Sequence, residues 1–233
     1  MRIGPVQPVM QELRQTLDES DWWPRLDADQ QRRVLAAMVV RDVAAGRIVS
    51  ARGAPVEGWL GVVDGLVKIS IDSADGRSVT LAGVPAGGWF GEGSVLKDES
   101  RRYDVIALRN SRIAVMPRQT FHWLIDISPG FSRFLLGLLN ARLGQFIAAL
   151  EHQRMLGPEA RVARCLARLF DPQLYPSTRP RLRLSQSELG LLTGLSRQRV
   201  NQALRQLEAL GLLEISYGGV TVVSVERLDA FEG

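Results

Sequence analysis

The stretch Leu184–Leu213, LSQSELGLLTGLSRQRVNQALRQLEALGLL, constrains this chain more than any other. It reads as two short helices joined by a tight turn. Ser185 is placed to cap the first helix, and Glu188, three residues on, to close a capping box. Leu189, Leu192 and Leu195 give a small apolar face, and Thr193-Gly194 breaks the helix. Ser196 then caps a longer helix whose apolar positions Val200, Leu204, Leu207 and Leu210 recur at helical spacing. That leaves Arg197, Gln198, Arg199, Asn201 and Gln202 on its exposed first turns. In a helix-turn-helix these positions reach base edges in the major groove, where arginine pairs with guanine and glutamine or asparagine with adenine.

Two amphipathic helices meeting at a glycine also make an ordinary solvated helix pair, and a solvated face accounts for Arg-Gln-Arg too. Two neighbouring features favour DNA. Arg179, Arg181, Arg183, Arg197, Arg199 and Arg205 have Glu188 as the one acidic residue set among them, a local positive field suited to phosphates. After the helices, Glu214–Val223 (EISYGGVTVV) reads as a hairpin turning at Gly218-Gly219, since paired glycines permit the positive φ angles of a two-residue turn. A helix-turn-helix followed by a small hairpin is the winged arrangement.

Composition sets wider bounds. A length of 233 residues suits one large or two ordinary domains, and 45% hydrophobic residues suffice for real cores. The net charge of +4 is mild, so the clustering of arginines carries more information than the total. The single Cys165 excludes an intramolecular disulfide framework, a thiolate iron–sulfur cluster and a multi-cysteine zinc site, and its place in the helical run Ala160–Phe170 reads as a buried structural thiol. His122 and His152 lie about thirty residues apart and make a poor metal site. No nucleophile–base pair, phosphate loop or paired carboxylate has a catalytic context, and Asp98-Glu99 reads as a polar turn, so enzymatic activity is not expected. No apolar run approaches the roughly twenty residues that span a membrane. The N-terminus lacks a signal-peptide core. The expectation is a soluble cytoplasmic protein with no membrane partner.

Along the chain, Val9–Val40 carries helical patterns: Met10, Leu13 and Leu17, then Val34, Leu35 and Met38 after a capping-competent Asp27. From Val43 to Met116 short β-rich runs follow at Arg47–Ser50, Trp59–Val63, Leu66–Ile71, Ser78–Ala82, Val105–Leu108 and Arg112–Met116. Turn signals at Gly46, Gly53, Asp64-Gly65, Asp75-Gly76, Gly87-Gly88 and Asn110-Ser111 separate them, which suggests a compact β-barrel or roll. Pro129 to about Leu156 reads as one long helix. Phe131, Phe134, Leu135, Leu138, Leu139, Leu143, Phe146, Ile147 and Leu150 are expected to form a wide apolar stripe on one side, suited to a coiled-coil-like dimer seam. Gly157-Pro158 ends it, and the Pro-rich Asp171–Pro180 leads to a short strand, Arg181–Leu184.

A β-domain, a long apolar helix and a C-terminal winged helix-turn-helix, in that order, resemble the cyclic-AMP receptor protein and FNR (Crp/Fnr) family of bacterial transcription regulators. The resemblance runs from about Trp23 to Phe231. Its specific parts are GGWFGEGSVL (Gly87–Leu96) with RRYDVIAL (Arg101–Leu108), similar to the family's phosphate-binding cassette, and the helix-turn-helix stretch. The fold class it implies is α+β: a cyclic-nucleotide-binding-like β-roll with N-terminal helices over residues 1–127, a dimerisation helix over 128–156 and a winged helix-turn-helix over 157–233.

The resemblance further implies a homodimer on a pseudo-palindromic double-stranded operator. Arg197 reads a guanine, Arg199 contacts phosphate or a base, and Ser187 and Ser196 match phosphate-contacting positions, with Gln198 and Asn201 beside them on the same helix face. The cyclic-AMP receptor protein has a glutamate where Gln198 stands, so the preferred half-site is expected to differ. RNA polymerase is a further partner that the resemblance leaves open. In the cassette, Gly91 and Glu92 match the ribose-binding segment and Arg101 the phosphate-binding arginine. Arg102 stands where the relatives carry serine, followed by Tyr103. Phe146 and Ile147 occupy the adenine-binding positions of the long helix and supply no hydrogen bonds, which leaves the base's polar edge unpaired at about 1–3 kcal/mol per group. Canonical cyclic AMP is therefore disfavoured. No cofactor is fixed: the remaining readings are another nucleotide or small-molecule effector, a cassette in which Glu92 and Arg101 pair with each other or with the backbone, or DNA binding without ligand. A cysteine-ligated oxygen sensor lacks its thiols, and a haem sensor lacks a His or Cys between Val43 and Phe121. A sensor module acting through a protein partner is the alternative to a DNA-binding regulator.

Overall fold

The computed structural model describes residues 6–72, 78–176 and 178–233; the turn expected at Asp75-Gly76 lies outside the described residues. The chain opens with helix α1 (Val6–Asp18), a single 3-10 turn (Trp23–Arg25) and α2 (Ala28–Ala37). Asp27 caps α2 in a full capping box with Gln30. The helical pattern expected to reach Val40 stops at Ala37, because the β-branched pair Val39-Val40 joins a sheet as strand β1 (Val39–Val43).

Strands β2 (Ile48–Ser50), β3 (Gly58–Asp64), β4 (Leu66–Asp72), β5 (Ser78–Pro85), β6 (Trp89–Phe90), β7 (Asp104–Ala107) and β8 (Ser111–Pro117) follow, with the short helix α3 (Glu92–Leu96) after β6. They form two antiparallel four-stranded sheets, ordered β1-β8-β3-β6 and β2-β7-β4-β5. Both contribute to one core, with Trp59 and Ile113 from the first sheet and Val67, Ile69 and Val105 from the second. Trp22, Trp59 and Trp89 sit in its centre with ring centroids 4.6–5.4 Å apart, and the Trp89 indole N–H donates to Ser20 Oγ at 3.0 Å. Offset and edge-on ring contacts of this kind add to the burial of large apolar surface.

Helix α4 (Arg118–Ile127) leads to α5 (Pro129–Met155), started by Ser128, whose hydroxyl accepts from the Phe131 amide, and by Pro129 at its first position. The α5 apolar residues do not lie on one side as expected. Phe131, Leu135 and Leu138 are buried in the β-roll core, whereas Leu136, Leu143, Ile147 and Leu150 are exposed. A helix apolar on several faces has no single stripe; its neighbours decide which part is covered. The expectation that no segment is apolar enough to span a membrane also needs correction. Pro129–His152 is 24 residues long and includes an 18-residue window with a mean hydropathy of 1.2, enough by length and composition. Arg133, Asn140, Arg142 and Gln145 break the continuous run in the sequence while leaving the average high.

The C-terminal unit comprises α6 (Pro158–Arg168), β9 (Arg181–Leu182), α7 (Gln186–Thr193), α8 (Arg197–Ala209), β10 (Leu213–Ser216), β11 (Gly219–Val222) and α9 (Val225–Asp229). Its core gathers Leu166, Leu189, Val200, Leu204, Leu207, Leu213, Val220 and Leu228. The hairpin pairs Ser216 with Gly219, so its turn is Tyr217-Gly218, one residue earlier than expected. Gly218 supplies the single positive φ, +73°, that this turn needs.

Candidate DNA interface and sensory cassette

Local chemistry builds the first site. The Ser185 hydroxyl accepts from the Glu188 amide at 3.2 Å, and the Glu188 carboxylate accepts from the Ser185 amide at 2.6 Å, fixing the start of α7. Gly194, at φ +68°, ends α7, and the Ser196 hydroxyl accepts from the Arg199 amide to begin α8. Val200, Ala203, Leu204 and Leu207 face inward. The opposite face therefore presents Arg197, Gln198 and Arg199 to solvent, and among the described residues none of their side chains has a partner. Ser187 is exposed on α7. Asn201 is placed differently from these: it is half-buried, and its Oδ1 accepts from Gln186 Nε2 at 3.0 Å, bracing α7 against α8. Tyr217, which the sequence reading did not single out, stands fully exposed at the tip of the hairpin.

A charged contact helps to anchor this unit to the β-roll. Arg109, in the turn after β7, donates twice to Glu188 Oε1, at 2.9 and 3.2 Å. The acidic residue set among the arginines is thus turned toward the β-roll, and the open face of α8 carries no carboxylate in its first turn.

The cassette forms the second site. Gly91 adopts φ +86° ahead of α3. A Cβ there would lie 2.2 Å from Arg101 Nη1, so glycine is required by both backbone and space. Arg101 is buried, and its guanidinium donates to the carbonyls of Gly91 (2.8 Å) and Gly58 (2.6 Å). Burial presses its pKa down, while Tyr103, Glu92 and Glu57 push it back up. Glu92 does not pair with Arg101. Its Oε1 accepts from Arg142 Nε of α5 at 2.9 Å, and Arg142 Nη2 donates to the Trp89 carbonyl at 2.8 Å. Glu92 is 2% exposed and Arg142 9%. Burial lowers the Arg142 pKa, but Glu92 first, then Tyr175 and Tyr103, raise it further, so the net shift is upward and the guanidinium stays charged. Glu92 Oε2, Arg142 Nη1 and Arg101 Nε are buried without a hydrogen-bond partner.

The other expected effector residues are not gathered here. Arg102 points outward and bonds Glu99 at 2.7 Å. Ile147 is exposed, and Phe146 lines a separate cavity whose wall includes neither Glu92 nor Arg101. The α5 side chain that reaches the cassette is Arg142, which the sequence reading missed. Its signal was positional: Arg142 continues the inward series Phe131, Leu135, Leu138 at helical spacing.

Residues 40–128 match the cyclic nucleotide-binding domain, and residues 160–231 match the Crp-like helix-turn-helix domain. The chain belongs to the Crp/Fnr family. It is a Crp-family DNA-binding transcription regulator that carries a cyclic nucleotide-binding domain. The CRP-like cAMP-activated global transcriptional regulator of Mycobacterium tuberculosis is 29% identical over 191 residues, covering 80% of this chain and 85% of the relative. Among solved structures, FixK2 from Bradyrhizobium japonicum is 21% identical with a TM-score of 0.70, covering 84% of this chain and 98% of that one. The c-di-GMP responsive global regulator CLP of Xanthomonas campestris is 25% identical with a TM-score of 0.60, covering 85% and 100%.

The Crp/Fnr cassette invites a test of fit for a cyclic nucleotide. The carboxylate that would take the ribose hydroxyls holds Arg142 through one of its oxygens, and the guanidinium that would take the phosphate is committed to two carbonyls. The residue after it, Arg102, is turned away. Glu92 Oε2, Arg142 Nη1 and Arg101 Nε remain buried and unpaired in the cassette, so the residues present fit a nucleotide only in part: a phosphate meets its arginine only once Arg101 leaves the Gly91 and Gly58 carbonyls.

Proposed function

We propose that this Crp/Fnr regulator acts in the cytoplasm as a homodimer on a pseudo-palindromic operator, and that it does so without cyclic AMP, under another small-molecule effector or none. Residues 1–127 would form the sensory unit, 128–156 the dimer helix and 157–233 the DNA reader; the helix caps at Ser128 and Gly157 support those divisions. The observation that carries the reading is the commitment of the buried Arg101 guanidinium to the Gly91 and Gly58 carbonyls, where a cyclic nucleotide would need it for phosphate. The exposed, unpartnered Arg197, Gln198 and Arg199 support base reading from α8.

For the DNA contact, Arg197→Ala is expected to weaken binding to the selected operator by about 1–3 kcal/mol and to relax selectivity at one base pair. Gel-shift titration against operators varied at each position checks this. Equal weakening on every sequence would reduce Arg197 to a phosphate contact, and absence of salt-dependent, sequence-selective binding in the parent would overturn the DNA reading.

The Mycobacterium tuberculosis relative is named as cAMP-activated, which supports a second reading in which cyclic AMP enters the cassette. Thermal denaturation separates the two. A nucleotide present at a hundredfold over its Kd stabilises the folded state by about 2.7 kcal/mol. No shift is expected with cyclic AMP; a rise of several degrees at micromolar nucleotide would establish the second reading.

A further inference from the structure

A cavity of about 470 Å³ lies where β5, the C-terminal half of α5, α6 and α7 meet, apart from the cassette. Its size falls within the roughly 300–1,000 Å³ of small-molecule sites. Lys68, His152, Arg161 and Arg168 line it, and among the described residues no aspartate or glutamate does. Lys68 is 8% exposed, and neither its side chain nor that of Arg168 has a hydrogen-bonded or ionic partner among the described residues. The His152 Nδ1 atom is buried and also unbonded. Arg161 donates to the Thr193 carbonyl, reaching from α6 to the end of α7. Phe146 and Leu192 supply apolar wall.

Cationic groups gathered around one cavity with no carboxylate among the described residues of its wall repel one another, and an anion between them relieves that repulsion. Independent electrostatics agree with that sign. Burial lowers the His152 pKa, and Arg168 and Arg164 lower it further against the opposing Glu151 and Asp229, so the site is locally positive.

We propose that this cavity binds a small organic anion with an apolar body, its head among Lys68, His152, Arg161 and Arg168 and its body on Phe146 and Leu192. Because the wall includes Gly190–Gly194 of the reader unit as well as β5 and α5, such a ligand bears on how α7 is held against the β-roll. That coupling rests on the DNA reading above; the binding itself does not.

The test uses the full chain with 8-anilinonaphthalene-1-sulfonate as a fluorescent probe and decanoate as competitor. Saturable binding of one probe per chain is expected, displaced by decanoate and not by decylamine. Arg168→Glu and Lys68→Met should each weaken it at least tenfold. Non-saturable fluorescence, displacement by decylamine as readily as by decanoate, or unchanged affinity in both variants would overturn the site. If Arg168→Glu fails to fold, Lys68→Met and the decanoate–decylamine contrast in the parent chain decide. Operator titrations with and without decanoate then address coupling: a change of threefold or more supports it, and unchanged affinity with decanoate bound removes the coupling while the site stands. A chain that binds decanoate and no DNA sinks the DNA reading instead.

Discussion

Arg142→Ala is expected to destabilise the sensory unit by about 3–5 kcal/mol, the range found when one partner of a buried ion pair is removed. The cause is the charge left behind. Glu92 is enclosed at the start of α3, its Oε2 already lacks a hydrogen bond, and Arg142 is its only ion-pair partner among the described residues. The Trp89 carbonyl would lose its donor in the same step. Removing the charge along with the partner should reverse most of the loss, so Arg142→Met with Glu92→Gln is expected to lie much closer to the parent than Arg142→Ala does. Urea denaturation followed by tryptophan fluorescence reports this region directly, since Trp22, Trp59 and Trp89 lie in its core. A loss below about 1 kcal/mol for Arg142→Ala would mean that water reaches the carboxylate, as in an exposed pair. The same variant tests closure of the cassette. A thermal shift with cyclic AMP in Arg142→Ala and none in the parent would identify Arg142 as the group that stands in the nucleotide's way.

How legible these features were depends on how local their causes are. The caps at Asp27 and Ser185, the breaks at Gly194 and Gly157-Pro158 and the inward Leu204 and Leu207 of α8 follow from residues a few positions apart and are found where the sequence places them, whereas Leu210, expected on the same apolar face, lies just past α8 and is exposed. Strands β1 and β6 were missed. Val39–Val43 has no turn signal separating it from α2, and Trp89–Phe90 is held by pairing with Leu60 and Gly61 far along the chain. The wing turn was placed one residue late because Gly218-Gly219 looks like the turn, whereas Gly219 is a strand residue pressed against the Leu182 carbonyl. Least legible was the cassette. Glu92 and Arg101 are recognisable by resemblance, but their partners are set by a helix fifty residues on and by carbonyls of β3 and the turn before α3. No local pattern states that Arg142, within an apolar helix, turns toward a carboxylate.

The same helix carries the second large effect on its other side. Leu136, Leu143 and Leu150 recur every seven residues and are 69%, 59% and 52% exposed, with Ile147 between them at 60%. A seven-residue apolar repeat is the spacing of a coiled-coil seam. In a twofold dimer the same patch meets its own copy, so a charge introduced there is faced by a like charge. Leu143→Glu is therefore expected to convert the proposed dimer to monomer and to weaken operator binding by two orders of magnitude or more, the advantage gained when the second half-site is engaged by a linked reader. The substitution touches no core residue, so the thermal unfolding of each unit should change little apart from its dependence on protein concentration. Sedimentation equilibrium and gel-shift titration together check this, and a dimer that survives Leu143→Glu would place the seam elsewhere. A bilayer is the rival cover for an exposed apolar face on a helix of this length. Residues Phe131, Leu135 and Leu138 argue against it: they are buried in the β-roll, and Arg142 is bonded to Glu92, so crossing a membrane would require withdrawing α5 from the core it completes. Co-sedimentation of the parent chain with lipid vesicles should accordingly be absent, and its appearance only in Leu143→Glu would be inconsistent with an added charge on a lipid-facing surface.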